Sequence, residues 1–528
     1  MNRKSYYDLI VYQIYPRSFY DANGDGIGDI NGIIQKLDYL KDLGVNAVWL
    51  CPCYKSPNCD NGYDISDYRD IAEEFGTLEE WKKMVAEMHA RGIKLIMDFV
   101  GNHTSSEHKW FKEARRSKDN YYHDYYIWRD SIPNDWQSEF GGTAWEFNPK
   151  TNEYYLHSFA IAQPDLNWEN ENVRREMQNI IDYWVDLGVD GFRCDVLDYI
   201  SKDFALDKIK KGPRLHEYVR ELFGREKVKH IFTVGECSAD ESEISEICGE
   251  DRNELSCVFQ FEHFSVGRKG RFVKLPFDYD EIKSILTKWQ YFTQSNNLIY
   301  TLFTDNHDQP HYISRLGNDG ENRYECATMY AAMFYLLKGV PFIYQGQEFG
   351  TPDPHYDNID DYNDIETINY YKANADGINK SQLMAMVNFG SRDNARRPIC
   401  WGSGKNYGFG EAPDVWLKLH SHGSEINLEK DKNAEKSVFC FYKKLIAFRK
   451  RSNAIRYGSF EDLTKSKGYF AYMREAANEK ILIVCNFENV KEISGLPNAE
   501  FLFGNLGKLR TANGKYLPFE TAVFQLRN

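Results

Sequence analysis

No stretch of this chain is apolar and long enough to cross a bilayer. The most apolar run, Tyr330 to Tyr344, is broken by Lys338 and Pro341 and falls short of the roughly 20 residues a span needs. No apolar h-region follows Arg3 and Lys4, because Asp8, Gln13 and Arg17 come next, so no secretory leader and no membrane partner are expected. Basic excess is also lacking. The 65 Lys and Arg against 79 Asp and Glu leave a net charge of −14, which argues against nucleic acid as a partner because there is no cationic surplus to release counterions. Nor is there a disulfide framework: the 11 cysteines are odd in number and scattered through strand-like runs (Cys194, Cys257, Cys440, Cys485), which points to a reducing, cytoplasmic setting. Cys51, Cys53 and Cys59 lie close together but have no second pair or His partner, so they read as buried thiols and not as a metal site. Internal repeats and low-complexity segments are absent as well.

What is present is a large soluble chain of 528 residues, 42% hydrophobic and 27% charged, enough for one large domain with appended modules. Aromatics reach 15%, sufficient for a large core and for a cleft whose ring faces stack on an uncharged, hydroxyl-rich ligand. Strand-like runs at 9–14, 45–50, 94–99, 189–194, 231–235, 255–261, 299–304 and 340–344 alternate with amphipathic stretches such as 31–43, 78–91, 173–187 and 280–296. Gly44, Gly92 and Gly188 stand where helix C-caps would. Eight strands alternating with helices predict a (β/α)8 TIM barrel.

About 70 residues separate the third strand from the helix before the fourth, too many for a structureless loop, so 104–172 is expected to be a small inserted domain. Residues 1–103 and 173–450 then form the barrel, with a second excursion over 350–440. From 451 to 528 short alternating runs predict a C-terminal antiparallel β-sandwich domain.

Three acids stand at or just beyond the ends of strand-like runs: Asp195, Glu236 and Asp308. Asp98, with Asn102 and His103, does the same for strand three. Carboxylates at the carboxyl ends of barrel strands are where such a fold builds an active site. Arg193 shares a strand face with Asp195 and should keep it ionised, as a nucleophile requires. Glu236 has no cation beside it in sequence and is the one expected to hold a proton as general acid.

Asp98-Phe-Val-Gly-Asn-His103, Gly191-Phe-Arg-Cys-Asp195-Val196, Val234-Gly-Glu236 and Phe303-Thr-Asp-Asn-His-Asp308 resemble, in order and spacing, the four signature regions of the α-amylase family of glycoside hydrolases. Gln163-Pro-Asp-Leu-Asn167 resembles a fifth region in the form used by the oligo-1,6-glucosidase subfamily. Asp60-Asn-Gly-Tyr63 and Ser391-Arg-Asp-Asn-Ala-Arg396 add two further matches. The resemblance covers essentially the whole chain and implies a retaining, exo-acting α-glucosidase. Asp195 would be the nucleophile, Glu236 the acid/base and Asp308 the transition-state stabiliser, with the first two about 5 Å apart. His103 and His307 would bind hydroxyls of the same sugar, Arg193 would orient Asp195, and Tyr63 would stack under the ring. Asp60 and Arg396 would pair at the blind end. The partner implied is a small oligosaccharide, acted on by a monomer or weak homo-oligomer.

The resemblance also assigns a loop. Asp21, Asn23, Asp25, Ile27 and Asp29 alternate oxygen donors with glycines like the start of an EF-hand, although position twelve is Gly32 and not Glu. It implies one structural Ca2+ or Mg2+ and no organic cofactor. Val196, beside the nucleophile, goes in such relatives with α-1,6 or sucrose-type substrates, and Lys274 and Glu366 match positions that touch the second glucose. Arg397, His311 and Cys237 depart from the usual pattern, which leaves sucrose isomerisation or trehalose-6-phosphate hydrolysis as alternatives. A non-catalytic binding relative would have lost the acids that this chain keeps.

Overall fold

The computed structural model describes residues 3–526 except 238, 253 and 316. Eight parallel strands form the central sheet: β1 (Val11–Ile14), β2 (Ala47–Leu50), β3 (Lys94–Val100), β4 (Gly191–Asp195), β5 (Phe232–Glu236), β6 (Cys257–Phe259), β7 (Thr301–Leu302) and β8 (Val340–Tyr344). Their order, β6-β5-β4-β3-β2-β1-β8-β7, is that of a barrel nearly closed on itself. At the remaining seam a side chain substitutes for a ladder, the Thr301 hydroxyl donating to the Val258 carbonyl at 3.2 Å. The strands are buried along nearly their whole length because helices cover the outside, which is why they read as continuous apolar runs.

The helices start and stop where local chemistry dictates. Thr77 and Glu80 make a capping box on Leu78–Ala90, and Asn170 caps Glu171–Asp186. Gly44, Gly92 and Gly188 take the left-handed backbone that ends a helix, at φ +100°, +73° and +106°.

The segment after β3 carries a three-stranded antiparallel sheet, with Glu153–Leu156 between Trp128–Arg129 and Trp145–Asn148. It has its own apolar cluster of Ile127, Trp136, Ala144, Trp145 and Leu156. At the other end of the chain lie β9 (Ser459–Asp462), β10 (Tyr469–Ala476), β11 (Glu479–Asn486), β12 (Glu500–Gly504) and β13 (Thr521–Gln525). They form one antiparallel sheet ordered β9-β10-β11-β13-β12. A ribbon of Lys491–Ile493 and Gly514–Tyr516 packs on one face of this sheet, and barrel helices pack on the other.

Candidate active site

Asp195 is the last residue of β4, opposite Val100, and Glu236 is the last of β5, opposite Phe259. Asp308 lies in the loop beyond β7. All three line one cavity of about 580 Å³, together with Asp60, Tyr63, His103 and Val196. Arg193, His307 and Arg396 stand buried behind its wall.

Arg193 organises the centre. Its Nη1 donates to Asp98 at 2.7 Å and to Asp195 at 2.8 Å, while Nη2 contacts Glu236. Its guanidinium lies 5.1 Å from the Trp49 ring and 5.7 Å from that of Tyr63. Asp98 also accepts from Trp49 Nε1 and Tyr63 Oη, so its oxygens are well occupied. Glu236 has no cation beside it in sequence, but the fold brings Arg193 to it as well as to Asp195 and Asp98: one guanidinium is shared by three buried carboxylates. One positive charge cannot neutralise three negative ones. Burial, and then the charges of neighbouring carboxylates, push Asp195 and Glu236 above the usual carboxylate range despite Arg193. Each carboxylate thus disfavours the charge of the other, and the two titrate as a pair.

Asp308 goes the other way. Burial alone would raise it, but His307, Arg392 and Arg396 hold it well below the usual range. Burial takes His307 itself down to about 3, so near neutral pH the two arginines hold the anion. Arg396 Nη2 donates to Asp308 Oδ1 at 2.7 Å and Arg392 Nη1 to the same oxygen at 3.2 Å.

At the blind end the expected Asp60–Arg396 pair is not formed. Asp60 meets Arg392 instead, whose Nη2 donates to Asp60 Oδ1 at 3.2 Å and to Asp364 Oδ1 at 2.6 Å. Arg396 spends its Nε on the His307 carbonyl, 2.8 Å away. Both arginines belong to the one motif singled out in the sequence, four residues apart, and nothing in their order says which faces the cavity. Asp364, which also caps the helix Ile365–Asn374, carried no signal. Burial raises Asp60 to about 6 against the pull of Arg392 and Arg396. Gln163 Nε2 lies 3.1 Å from both Asp60 Oδ2 and His103 Nε2, which explains the fifth motif.

The structure also corrects His307. Its ring stacks on Tyr63 at 5.2 Å, and both nitrogens are occupied inside the protein: Nδ1 by Gln13 Nε2 at 2.9 Å, Nε2 by Tyr63 Oη at 2.6 Å and Asp308 Oδ2 at 3.1 Å. With Gln13 donating to Nδ1, the proton sits on Nε2. His307 orients Tyr63 and Asp308 and does not reach the cavity. Tyr63 and His103 do.

Val196 has φ +35° and ψ +46°, a left-handed backbone that a β-branched residue adopts at a cost of about 1–3 kcal/mol. Cys237 and Glu366 also line the cavity, Glu366 Oε2 standing 3.6 Å from Arg392 Nε. Lys274 does not: it borders a neighbouring cavity, 5.9 Å from the Phe389 ring. His311 and Arg397 are both buried away from the cavity, His311 beside Asp305 and Asp353, Arg397 against Tyr356 and Tyr362.

In the loop before the first barrel helix, Asp21 accepts from Gly24 N and Gly26 N, Asp25 from Ile27 N, and Asp29 from Ala22 N, Asn23 N and Gly32 N. Every ligand atom these residues could offer a cation is a hard oxygen, and the oxygens of Asp21 and Asp25 each keep a lone pair after those bonds. Among the described residues no group of three or more His, Cys, Asp or Glu is gathered closely enough to hold a metal by those side chains alone. A cation here would also need the Asn23 amide oxygen and the Ile27 carbonyl.

Two carboxylates at adjacent strand ends, sharing a guanidinium beside one cavity, define a glycoside hydrolase built on a (β/α)8 barrel. The chain belongs to the α-amylase family, whose description, Alpha amylase, catalytic domain, matches residues 13–458. An oligo-1,6-glucosidase of Parageobacillus thermoglucosidasius is 44% identical, over 100% of both chains. Among solved structures, trehalose-6-phosphate hydrolase of Bacillus licheniformis matches with a TM-score of 0.92 and 38% identity, over 99% of this chain and 100% of that one. An isomaltulose synthase mutant from Erwinia rhapontici, in complex with sucrose, matches with a TM-score of 0.94 and 35% identity, over 99% of each.

Proposed function

We propose that this chain is a retaining exo-acting α-glucosidase that removes terminal α-1,6-linked glucose from small isomalto-oligosaccharides. The observation that carries the reading is the Asp195–Glu236 pair on Arg193, in a cavity ended by Asp60 and Arg392. Two carboxylates held to one guanidinium suit the short separation of retaining enzymes, about 5–5.5 Å, better than the longer gap that leaves room for an inverting water. In this scheme Glu236 gives a proton to the glycosidic oxygen as Asp195 attacks the anomeric carbon, giving a glucosyl ester and a free aglycone. Glu236 then takes a proton from water, the water oxygen attacks the same carbon, and Asp195 leaves as carboxylate. Asp308, kept anionic by two arginines, stabilises the positive charge that develops on the ring.

The α-1,6 preference rests on Val196, whose strained backbone fixes a β-branched side chain where the aglycone departs, and on the oligo-1,6-glucosidase relatives. His311 and Arg397, the basic residues among the departures that keep the trehalose-6-phosphate alternative open, do not line the cavity. The free cysteines fit a reducing cytoplasm, and Asp21, Asn23, Asp25, Ile27 and Asp29 would hold a structural Ca2+ or Mg2+. A product profile on isomaltose, isomaltulose, maltose, sucrose and trehalose-6-phosphate tests the reading. Isomaltose should be turned over best to glucose, and a strong preference for maltose or trehalose-6-phosphate would overturn it.

A further inference from the structure

A second cavity, of about 660 Å³, shares two rings with the catalytic one. Phe140 and Phe159 line both, packed edge to face with centroids 5.7 Å apart. Another part of its wall is the inserted domain's own sheet. Glu146 stands opposite Tyr155 in the pair Trp145–Asn148 and Glu153–Leu156, and His157 follows Tyr155 by two, so the three share a face. The alternate residues Trp145 and Leu156 go to the domain's apolar cluster. Tyr155 Oη donates to the Ile161 carbonyl at 2.9 Å, which ties the 159–162 turn to the sheet. Gly141 and Gly142, at φ +89° and +82°, border the cavity with backbone alone.

Three polar groups that line this cavity are left unmatched. Arg115 and Glu146 are half-buried, and neither side chain makes an ion pair or a hydrogen bond among the described residues. Both charges reach Tyr155: burial and then Glu146 push its phenol up, and Arg115 pulls it back. His157 is 2% exposed. Its Nδ1 donates to the Phe159 carbonyl at 2.9 Å, which in the neutral ring leaves Nε2 an acceptor, and Nε2 has no hydrogen-bond partner. An ionic ligand would be drawn by one of the two charges and repelled by the other. A neutral ligand with several hydroxyls serves all three groups, because each hydroxyl both donates and accepts. The rings of Phe140, Phe147, Tyr155 and Phe159 suit the apolar faces of a sugar.

We propose that this cavity is a second sugar site, which holds free glucose among Arg115, Glu146 and His157. The choice of glucose rests on the α-glucosidase reading, whose product it is; the cavity itself has no part in that scheme. Three contacts join it to the blind end of the catalytic cavity. Cys59, in its wall, directly precedes Asp60. The Phe140 ring lies 4.9 Å from the Arg392 guanidinium that holds Asp60 and Asp308. Asn369, also in the wall and on the helix that Asp364 caps, donates from Nδ2 to the Phe140 carbonyl at 3.0 Å. Product released from one cavity is thus offered a site behind the residues that close it.

The test is saturation-transfer NMR from the protein to free glucose, with the catalytic cavity filled by 1-deoxynojirimycin, an iminosugar whose ammonium mimics the charge that develops on the ring. Transfer to glucose should persist in the filled wild-type protein. Glu146→Ala and Arg115→Ala each remove one unmatched charge from a half-buried position and should weaken that binding about tenfold. Both should keep the wild-type melting temperature and the wild-type kcat/KM on p-nitrophenyl α-glucoside. Transfer that disappears once the catalytic cavity is filled would overturn the proposal. So would transfer undiminished in both variants, or glycine betaine, a zwitterion, bound in preference to glucose. Failure of the α-glucosidase reading shows separately, as wild-type protein that releases glucose from none of the disaccharides.

Discussion

Glu236 and Asp195 share a guanidinium, yet the scheme gives them unequal work, and leaving-group chemistry separates the two. Glu236→Gln removes the proton donor, so hydrolysis of isomaltose should fall by roughly 10²–10⁴-fold. A p-nitrophenolate leaves without protonation, so the first step on the aryl glucoside should survive and appear as a burst. Asp195→Asn should show neither turnover nor burst while keeping the wild-type circular dichroism spectrum. Asp60 supplies a pH signature. With its folded value raised to about 6 by burial, it is neutral below that pH and loses its strength as an acceptor for sugar hydroxyls. The acid limb of kcat/KM should therefore inflect near that value. Asp60→Asn, weak as it will be, should lack the inflection; an unaltered limb in the variant would assign it to the Asp195–Glu236 pair. The acids were legible in the sequence because each ends or follows an apolar run. Their electrostatics were not. Arg193 is two residues from Asp195 but 43 from Glu236, and Arg392 is 332 from Asp60, so only the fold decides which cation each acid meets.

Elements were more legible than contacts, because periodicity is local. Each barrel strand overlaps a run read from the sequence, and the helices Leu78–Ala90 and Tyr279–Ser295 match theirs to within about a residue. The hairpin Arg268–Lys274 was missed: its strands are two residues each and mostly charged, with no alternation to read. The loop from Asp21 to Asp29 is an element whose chemistry the backbone leaves undecided. Its carboxylates already accept from the loop's own N–H groups, and Asp29 caps the helix Ile30–Gln35. A cation would add to that order by screening three aspartates from one another. If the loop holds Ca2+ or Mg2+, EDTA should lower the melting temperature and an excess of the metal should restore it. Asp25→Asn should shrink the shift. A melting temperature indifferent to both EDTA and added metal would leave the loop as a set of Asx turns.

At the scale of the whole molecule the C-terminal sheet is part of the barrel's packing and not an independent appendage. Every residue from Glu325 to Tyr335 in the helix Arg323–Tyr335 is buried, because the sheet covers the side that the barrel does not. Phe470, Tyr472, Ile481, Ile483, Cys485 and Val523 of the sheet join the same apolar cluster as the barrel helices. Polar groups lock the seam. Tyr472 Oη donates to the Ala332 and Met333 carbonyls, and Arg474 reaches the Leu336 carbonyl. Asn505 Nδ2 is shared among Glu325 O, Thr328 Oγ1 and Phe519 O, at 3.2, 3.0 and 2.8 Å, while its Oδ1 accepts from the Thr521 N–H at 3.0 Å. Truncating Asn505 to Ala strands several of these buried partners at once, at a cost of about 1–3 kcal/mol for each group left unsatisfied. Because one core spans both parts, that loss should lower a single calorimetric transition, with activity and sheet signal lost together as the temperature rises. If the sheet were a separate domain, Asn505→Ala would split off an early transition that leaves the barrel folded and active, and that trace would refute the shared core.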